Sequence, residues 1–300
     1  MGRGKWLNCR LRDIQERLDQ RGHEVSLPVI SRLLRKHDYR LRANAKQLAG
    51  EQHPERDQQF QYLYEQRTLH QAAGQPTISV DTKKKELVGN FKNPGQIWCQ
   101  EPELVNMHDF RQDAVGRAVP YGIYDLQHNR GTVYVGQSAD TPAFAVDNIA
   151  HWCQTELPLL FPGVTHLMIE ADGGGSNSYR SRVWKRDLQE KVADRFGLTL
   201  TVCHYPTGAS KWNPVEHRLF NEISKTWAGC PLRSFDDVVH YIIDTKTDTG
   251  LTVQAHLVTQ TYATGVKVPD EQMDALNIEF HDVCPQWNYT LRPRSISSTS

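Results

Sequence analysis

The sequence predicts an α/β fold in which a mixed sheet of five strands is flanked by helices, with a helix-turn-helix segment at the N-terminus. From residue 76 onward, short runs of β-branched and aromatic residues alternate with segments of helical periodicity. The early β runs form a hairpin, whereas helices separate the later ones, and this order indicates a mixed sheet with helices on its faces. Ahead of these runs, residues 1–47 are basic and contain two short helical patterns.

Composition limits the class of protein. A chain of 300 residues accommodates one large domain with smaller attachments. Because 35 basic and 35 acidic residues cancel, only the distribution of charge is informative. The six cysteines have no paired zinc-ligand spacing, which indicates reduced thiols. No apolar run approaches the ~18 residues of a membrane span, so a soluble cytoplasmic protein is predicted.

The N-terminal region carries the clearest charge asymmetry. In residues 1–47, basic residues outnumber acidic ones by twelve to five. A helical pattern ends at Gly22, and Ser26 begins a second one, as in a helix-turn-helix whose second helix enters a DNA groove. The alternative is a helical hairpin with a solvated basic face. The candidate DNA-binding residues on the second helix are Arg32, Arg35 and Lys36.

The remaining elements follow from local patterns. Residues 48–75 are polar and rich in glutamine, and they predict a linking helix. The strands are predicted at 76–80, 119–126, 132–135, 165–171 and 198–202. The main helices are predicted at 141–156 and 179–196, after Asn213 and after Ser234. The last nine residues, 292–300, are predicted to be a disordered tail.

Three carboxylates lie at the ends of predicted strands or at the start of a predicted helix. Asp81 ends the first strand, Asp172 ends the fourth, and Glu216 lies in the first turn of the helix after the fifth. If strands one and four are neighbours, all three meet at one sheet edge. Such oxygen ligands suit Mg²⁺ or Mn²⁺, and two ions about 4 Å apart activate a water or 3′-hydroxyl for attack at phosphorus. The alternatives are aspartates that form turns and a capping box between Asn213 and Glu216.

Residues near these carboxylates are candidates for contact with DNA. Lys83 follows Asp81 in a lysine run, and a cation and an aromatic ring near Glu216 suit phosphate or an unpaired base. The alternatives are a tryptophan packed under the helix and lysines that are only solvated. The GGGSN loop at 173–177 also suggests phosphate binding, but it lacks the spacing of nucleotide-binding loops. The candidates besides Lys83 are Lys211, Trp212 and Arg218.

Four sequence blocks resemble one known family. They are SVDTKKKELVGNF, EADGGGSNSYRSRVWK, YPTGASKWNPVEHRLFNEISKTWAG and PQWNYTLRP. The chain resembles DDE-type insertion-sequence transposases of the Rhodopirellula type, whose catalytic domain is ribonuclease-H-like. The resemblance implies that Asp81, Asp172 and Glu216 are catalytic and bind divalent metal, Mg²⁺ or Mn²⁺, as two ions. It also implies DNA strand cleavage and transfer at element ends.

The resemblance also predicts domains and partners. The predicted segments are 1–47 for DNA binding, 48–75 as a linker helix, 76–230 as the ribonuclease-H-like catalytic domain and 231–300 as a C-terminal extension. The family's DNA-binding region is longer, so part of it is expected to be missing here. The expected partners are double-stranded DNA and further copies of the chain, in the cytoplasm at the nucleoid. Two alternatives stay open: a catalytically inactive transposase-derived DNA-binding protein and a two-metal nuclease on the same fold.

Overall fold

The computed structural model describes residues 10–39, 54–107, 111–206, 208–209 and 212–294. Contacts within the chain divide it into two compact units, Met1–Glu51 and Gln52–Ser300. In the described part of the chain, no helix is both long and apolar enough to cross a membrane.

The first unit contains two helices that pack against each other, α1 (Leu11–Asp19) and α2 (Leu27–Lys36). In the turn between them, Gly22 has a φ of 78°, a left-handed conformation that glycine adopts without strain. Ile30 is buried on α2. Both predicted helices are therefore present, and their helix-turn-helix role stays a prediction. Three basic side chains of α2 are exposed: Arg32, Arg35 and Lys36.

The second unit is built on a mixed sheet that contains nine strands among the described residues. The strands are β1 (Thr77–Thr82), β2 (Glu86–Val88), β3 (Gly116–Asp125), β4 (Arg130–Gly136), β5 (His166–Ala171), β6 (Thr199–His204), β7 (Thr252–Val258), β8 (Ile278–Phe280) and β9 (Asn288–Leu291). Their order across the sheet is β7-β4-β3-β1-β5-β6-β9-β8, and β2 pairs with β3. Strands β1, β5 and β6 are parallel, whereas β3 is antiparallel to both β1 and β4.

The five predicted strands form the centre of this sheet, in the order β4-β3-β1-β5-β6, and the predicted mixed α/β fold is confirmed. The sheet is wider than predicted, because β7, β8 and β9 come from the segment 231–300 that was expected to be an extension. Three of the strands that were not predicted, β2, β7 and β8, are hard to recognise from sequence for physical reasons. Strand β7 is a half-exposed edge strand with polar residues, and β2 and β8 have three residues each, too few to show a period of two.

Helices cover both faces of the sheet. They are α3 (Arg56–Ala72), α4 (Pro142–Thr155), α5 (Leu157–Leu160), α6 (Arg182–Leu188), α7 (Asn221–Thr226), α8 (Phe235–Ile243) and α9 (Asp270–Asp274). Two segments are π-helical: Gln189–Asp194 continues α6, and Val215–Phe220 leads into α7. The predicted start of α8 is confirmed, because Ser234 and Asp237 form a capping box there.

Side chains of β1 alternate between two cores. Ile78 and Val80 belong to the core that also contains residues of α4 and α6. Ser79 and Asp81 lie on the opposite face, where they contact Asn213 ahead of the π-helical segment. Because helices cover both faces, the central strands are buried on both sides, so the polar residues that β1 and β6 carry are buried as well.

Buried amides hold α3 on the sheet. Gln59 and Asn288 exchange two side-chain hydrogen bonds, of 2.7 Å and 2.6 Å. Gln59 also donates to the backbone oxygen of His204 at 2.9 Å. Since both amides are fully buried, their mutual pairing removes the cost of burying polar groups. The predicted linking helix is therefore packed as part of the second unit.

The C-terminal segment is ordered further than predicted. Arg292 forms an ion pair with Glu279, and Arg294 forms one with Asp194, although both arginines fall in the segment predicted to be a disordered tail. Residues 295–300 of that tail lie outside the described residues. The order of residues 292–294 follows from their position directly after β9.

Candidate active site

The pairing of β1 with β5 sets two aspartates side by side. The strands are parallel, with Val80 opposite Ala171; Asp81 is the next residue of β1, and Asp172 directly follows the last residue of β5. Both carboxylates line a cavity of about 400 Å³ at the carboxyl ends of these two strands. The sequence-based condition that the first and fourth predicted strands are neighbours is thus met.

Asp81 is the more buried of the two aspartates, with 8% of its surface exposed. Its Oδ1 accepts a hydrogen bond from the Thr82 backbone at 2.7 Å, and its Oδ2 accepts one from Asn213 Nδ2 at 3.2 Å. Burial, together with the negative charges of Asp172 and Glu216, raises the pKa of Asp81 to about 8. The negative charges of Asp172 and Glu216 thus add to the effect of burial in opposing ionisation of Asp81.

Asn213 joins the start of the π-helical segment to β1. Its buried side chain accepts a hydrogen bond from Ser79 Oγ and donates to Asp81. Ser79 Oγ in turn accepts a hydrogen bond from the Val215 backbone at 3.3 Å. The alternative of a capping box is wrong, because no side chain caps this segment and Asn213 instead satisfies the buried polar groups of β1.

Glu216 lies on the π-helical segment Val215–Phe220 and is half-buried. Burial and the charge of Asp172 raise its pKa, while Lys83 and His217 act in the opposite direction. Glu216 does not line the cavity that contains the two aspartates. Within the described residues, no three His, Cys, Asp or Glu side chains are grouped closely enough to hold a metal ion together.

The glycine-rich loop after β5 forms one wall of the cavity. Asp172 Oδ1 accepts a hydrogen bond from the Gly173 backbone at 2.8 Å. Further along, Tyr121 donates to Asn177 Oδ1 at 3.0 Å, and Nε2 of the buried His204 lies 2.9 Å from the Asn177 backbone oxygen. Contacts with β3 and β6 therefore fix the loop that follows Asp172.

Lys83 is less available to a ligand than its place in a lysine run suggests. It has 7% of its surface exposed. Its Nζ lies 2.8 Å from Glu86 Oε1 and 4.7 Å from the centre of the Trp227 ring. The paired and buried ammonium group lines the cavity but does not extend into solvent.

Asp140 is a fourth carboxylate in the cavity, and sequence reasoning missed it. Its Oδ1 accepts a hydrogen bond from Thr82 Oγ1 at 3.0 Å, and its Oδ2 lies 3.7 Å from Lys85 Nζ. Asp140 follows β4, which runs in the same direction as β1 because both are antiparallel to β3. Because Asp140 lies four residues beyond the end of β4, the strand-end pattern that selected Asp81 did not select it.

The other candidate DNA-binding residues differ in exposure. Trp212 is 53% exposed, and its ring centre lies 5.9 Å from that of Phe60, so its ring packs against α3. Arg218 is exposed on the π-helical segment. Lys211 lies outside the described residues.

We predict that Gly122→Ala displaces the helix that carries Glu216. A Cβ at Gly122 would lie 2.5 Å from Phe220 Cε1 on that helix. Overpacking of this kind costs about 1–3 kcal/mol, which denaturant unfolding measures. The control is Gly136→Ala, whose Cβ would lie 2.8 Å from Phe144 on the opposite face. Both variants should lose stability, but only Gly122→Ala should lose affinity for Mn²⁺; equal losses of affinity would contradict the prediction.

Comparisons with known proteins found one matching family and several similar solved structures. The family described as "Rhodopirellula transposase DDE domain" matches residues 2–293. Among curated proteins, no sequence matches the chain. Similar solved structures include the Mos1 transposase paired-end complex with left transposon end, with 14% identity, a TM-score of 0.47, and coverage of 81% of this chain and 72% of that chain. The Mos1 strand transfer complex has 14% identity, a TM-score of 0.48, and coverage of 84% and 75%, respectively.

Proposed function

We propose, from the premise that the chain belongs to the Rhodopirellula transposase DDE domain family, that Asp81, Asp172 and Glu216 are its catalytic residues. Membership makes the chain an insertion-sequence transposase, a polynucleotidyl transferase that acts on DNA. The proposed reaction is hydrolysis of a phosphodiester at each element end, followed by attack of the freed 3′-hydroxyl on target DNA. The proposed assembly is a homo-oligomer on DNA at the nucleoid.

The observation that carries this proposal is the parallel register of β1 and β5, with Val80 opposite Ala171. This register supports a shared role for Asp81 and Asp172, which follow directly and line one cavity. Asn213 supports the placement of Glu216, because its bonds to Ser79 and Asp81 anchor the start of the same helix to β1.

DDE transposases use divalent metal ions, and the donor set of this chain fits such an ion. Carboxylate oxygens are the preferred ligands of Mg²⁺ and Mn²⁺, and a cation would offset both the burial and the repulsion that raise the pKa of Asp81. We propose that Asp81 and Asp172 hold the metal from the cavity and that Glu216 completes the set by turning toward them. When bound, two such ions would activate the attacking oxygen and stabilise the leaving oxygen.

The test is strand cleavage and joining by the purified chain on DNA that carries its own element ends. We expect nicked and joined products with Mg²⁺ or Mn²⁺ and none after chelation of the metal. Titration calorimetry with Mn²⁺ should show binding without DNA.

Two outcomes would instead support the alternatives. DNA binding with neither Mn²⁺ binding nor cleavage would identify an inactive DNA-binding protein. Cleavage of RNA–DNA hybrids without strand transfer would identify a nuclease.

A further inference from the structure

A second cavity lies on the face of the sheet that carries α3 and the π-helical segment. Its volume is about 180 Å³. This is smaller than the roughly 300–1,000 Å³ of sites for drug-sized ligands, so the cavity suits a group the size of a phosphate. It shares no lining residue with the cavity of the two aspartates. The lining residues that bear on its chemistry are Arg67, Gln71, Thr77 and Arg218.

Two arginines give this cavity a positive charge. Arg67 donates through Nε and Nη2 to the buried carboxylate of Glu170, each at 2.7 Å, and through Nη2 to Tyr205 at 3.2 Å. Its Nη1 group makes no hydrogen bond to any described residue. Arg218 is exposed and forms no ion pair within the described part of the chain. Since Glu170 offsets the charge of Arg67, the cavity keeps one uncompensated positive charge.

The Thr77 hydroxyl group is a second, independent indication that the cavity binds a ligand. It is 1% exposed, and its Oγ1 has no hydrogen-bond partner among the described residues. A buried hydroxyl without a partner is costly, so such a group in a folded protein requires an explanation. Thr77 lines the cavity together with the two arginines. A bound oxygen acceptor would explain the hydroxyl and the spare guanidinium donors together.

We propose that this cavity binds one phosphate of the DNA backbone, through Arg218, Arg67 Nη1 and Thr77 Oγ1. Guanidinium groups suit phosphate oxygens, which they bind through forked hydrogen bonds. The single uncompensated charge of the cavity matches the single charge of a phosphodiester. Arg218 lies two residues after Glu216 on one helical segment, so the bound phosphate ties that helix to the DNA. The proposal rests on DNA being the substrate of the proposed function.

The test compares Thr77→Val and Arg218→Gln in the full chain. The control is Lys267→Gln, because Lys267 is an exposed cation between β7 and α9, outside the cavity. The affinity for duplex DNA with element ends is measured over a range of salt concentrations without divalent metal. Calorimetry with inorganic phosphate tests whether the cavity takes the free anion.

The variants are expected to differ in DNA affinity, in its dependence on salt and in melting temperature. Arg218→Gln should weaken DNA binding about tenfold and reduce the salt slope by about 0.9, since one phosphate contact is lost. Thr77→Val should weaken DNA binding about tenfold or more, the value of one hydrogen bond to a charged group, and leave the salt slope unchanged. The melting temperature of the free Thr77→Val protein should stay the same or rise, because the hydroxyl has no partner to lose. Lys267→Gln should behave as the unmodified chain.

Several results would overturn the proposal. If Arg218→Gln lowers the affinity for DNA and Thr77→Val does not, Arg218 contacts DNA at the surface and no phosphate binds in the cavity. If both variants abolish binding of inorganic phosphate but leave DNA affinity unchanged, the site takes the free anion and not DNA. A fall in melting temperature with Thr77→Val would show that its hydroxyl already has a partner. Because binding is measured without metal, a chain that fails to cleave DNA can still pass this test.

Discussion

Asp172→Asn is expected to lower DNA strand cleavage by about a thousandfold or more, because it removes one of the proposed metal ligands. Asparagine keeps the size of the side chain and an oxygen that can accept the hydrogen bond of the Gly173 backbone. The change therefore removes charge and leaves the loop in place. Cleavage of DNA with the element ends measures the loss, and DNA binding should persist.

Stability provides a second measurement of the same variant. Burial is the main cause of the raised pKa of Asp81, and the negative charge of Asp172 adds to it. Without metal, Asp172→Asn should therefore melt at the same or a higher temperature than the unmodified chain. If the variant loses cleavage activity but keeps its melting temperature, the loss comes from the missing carboxylate and not from unfolding.

Asp140→Asn is the matched control, since Asp140 is a carboxylate of the same cavity. Its oxygens contact Thr82 and Lys85. We expect this variant to keep cleavage within about tenfold, the lower range for residues that support a metal ligand. Full cleavage by Asp172→Asn, or an equal loss in both variants, would contradict the proposed assignment.

Arg67→Met is expected to destabilise the chain by about 3–5 kcal/mol, because it leaves a buried charge without its partner. Glu170 is 0% exposed, and its carboxylate receives two hydrogen bonds from Arg67, both of 2.7 Å. Tyr205 donates to the same carboxylate at 2.6 Å but carries no positive charge. Denaturant unfolding of the purified variant measures the loss.

Two further variants distinguish the effect of burial on stability from the effect of charge pairing. Arg67→Met combined with Glu170→Gln should recover much of the stability, because no buried charge remains. Arg292→Met breaks a pair with Glu279 in which the side chains are 50% and 60% exposed, and it should cost at most about 1 kcal/mol. Equal losses for Arg67→Met and Arg292→Met would show that the buried pair contributes no more than a surface pair.

Much of the central fold could be predicted from sequence. In the run that became β1, Ile78 and Val80 alternate with polar residues, and the run that became β5 is short and apolar; an aspartate follows each predicted strand. Such patterns are local, so they survive without knowledge of the partner strand. Edge strand β7 escaped prediction because its sequence, TVQAHLV, mixes polar and apolar residues at a half-exposed edge.

Parts of the candidate site could not be predicted in the same way. Lys83 was predicted to contact DNA, with a solvated lysine as the alternative, yet Glu86 and Trp227 hold it in a buried position. Asp140 was not selected, because its relevance depends on β4 running parallel to β1. Both depend on which strands and helices become neighbours, and such contacts leave no local pattern.

The sequence by itself determined the central strands, the helices that follow them and the three carboxylates at their ends, because periodicity and capping act over a few residues. Only the tertiary structure decided what Asn213 binds. Its spacing to Glu216 allowed a capping box, whereas strand pairing brought Ser79 and Asp81 within reach. It also decided that Thr77 lacks a partner beside two arginines. Burial and hydrogen-bond pairing are set by residues distant in the chain, and they become fixed only when the sheet and its helices assemble.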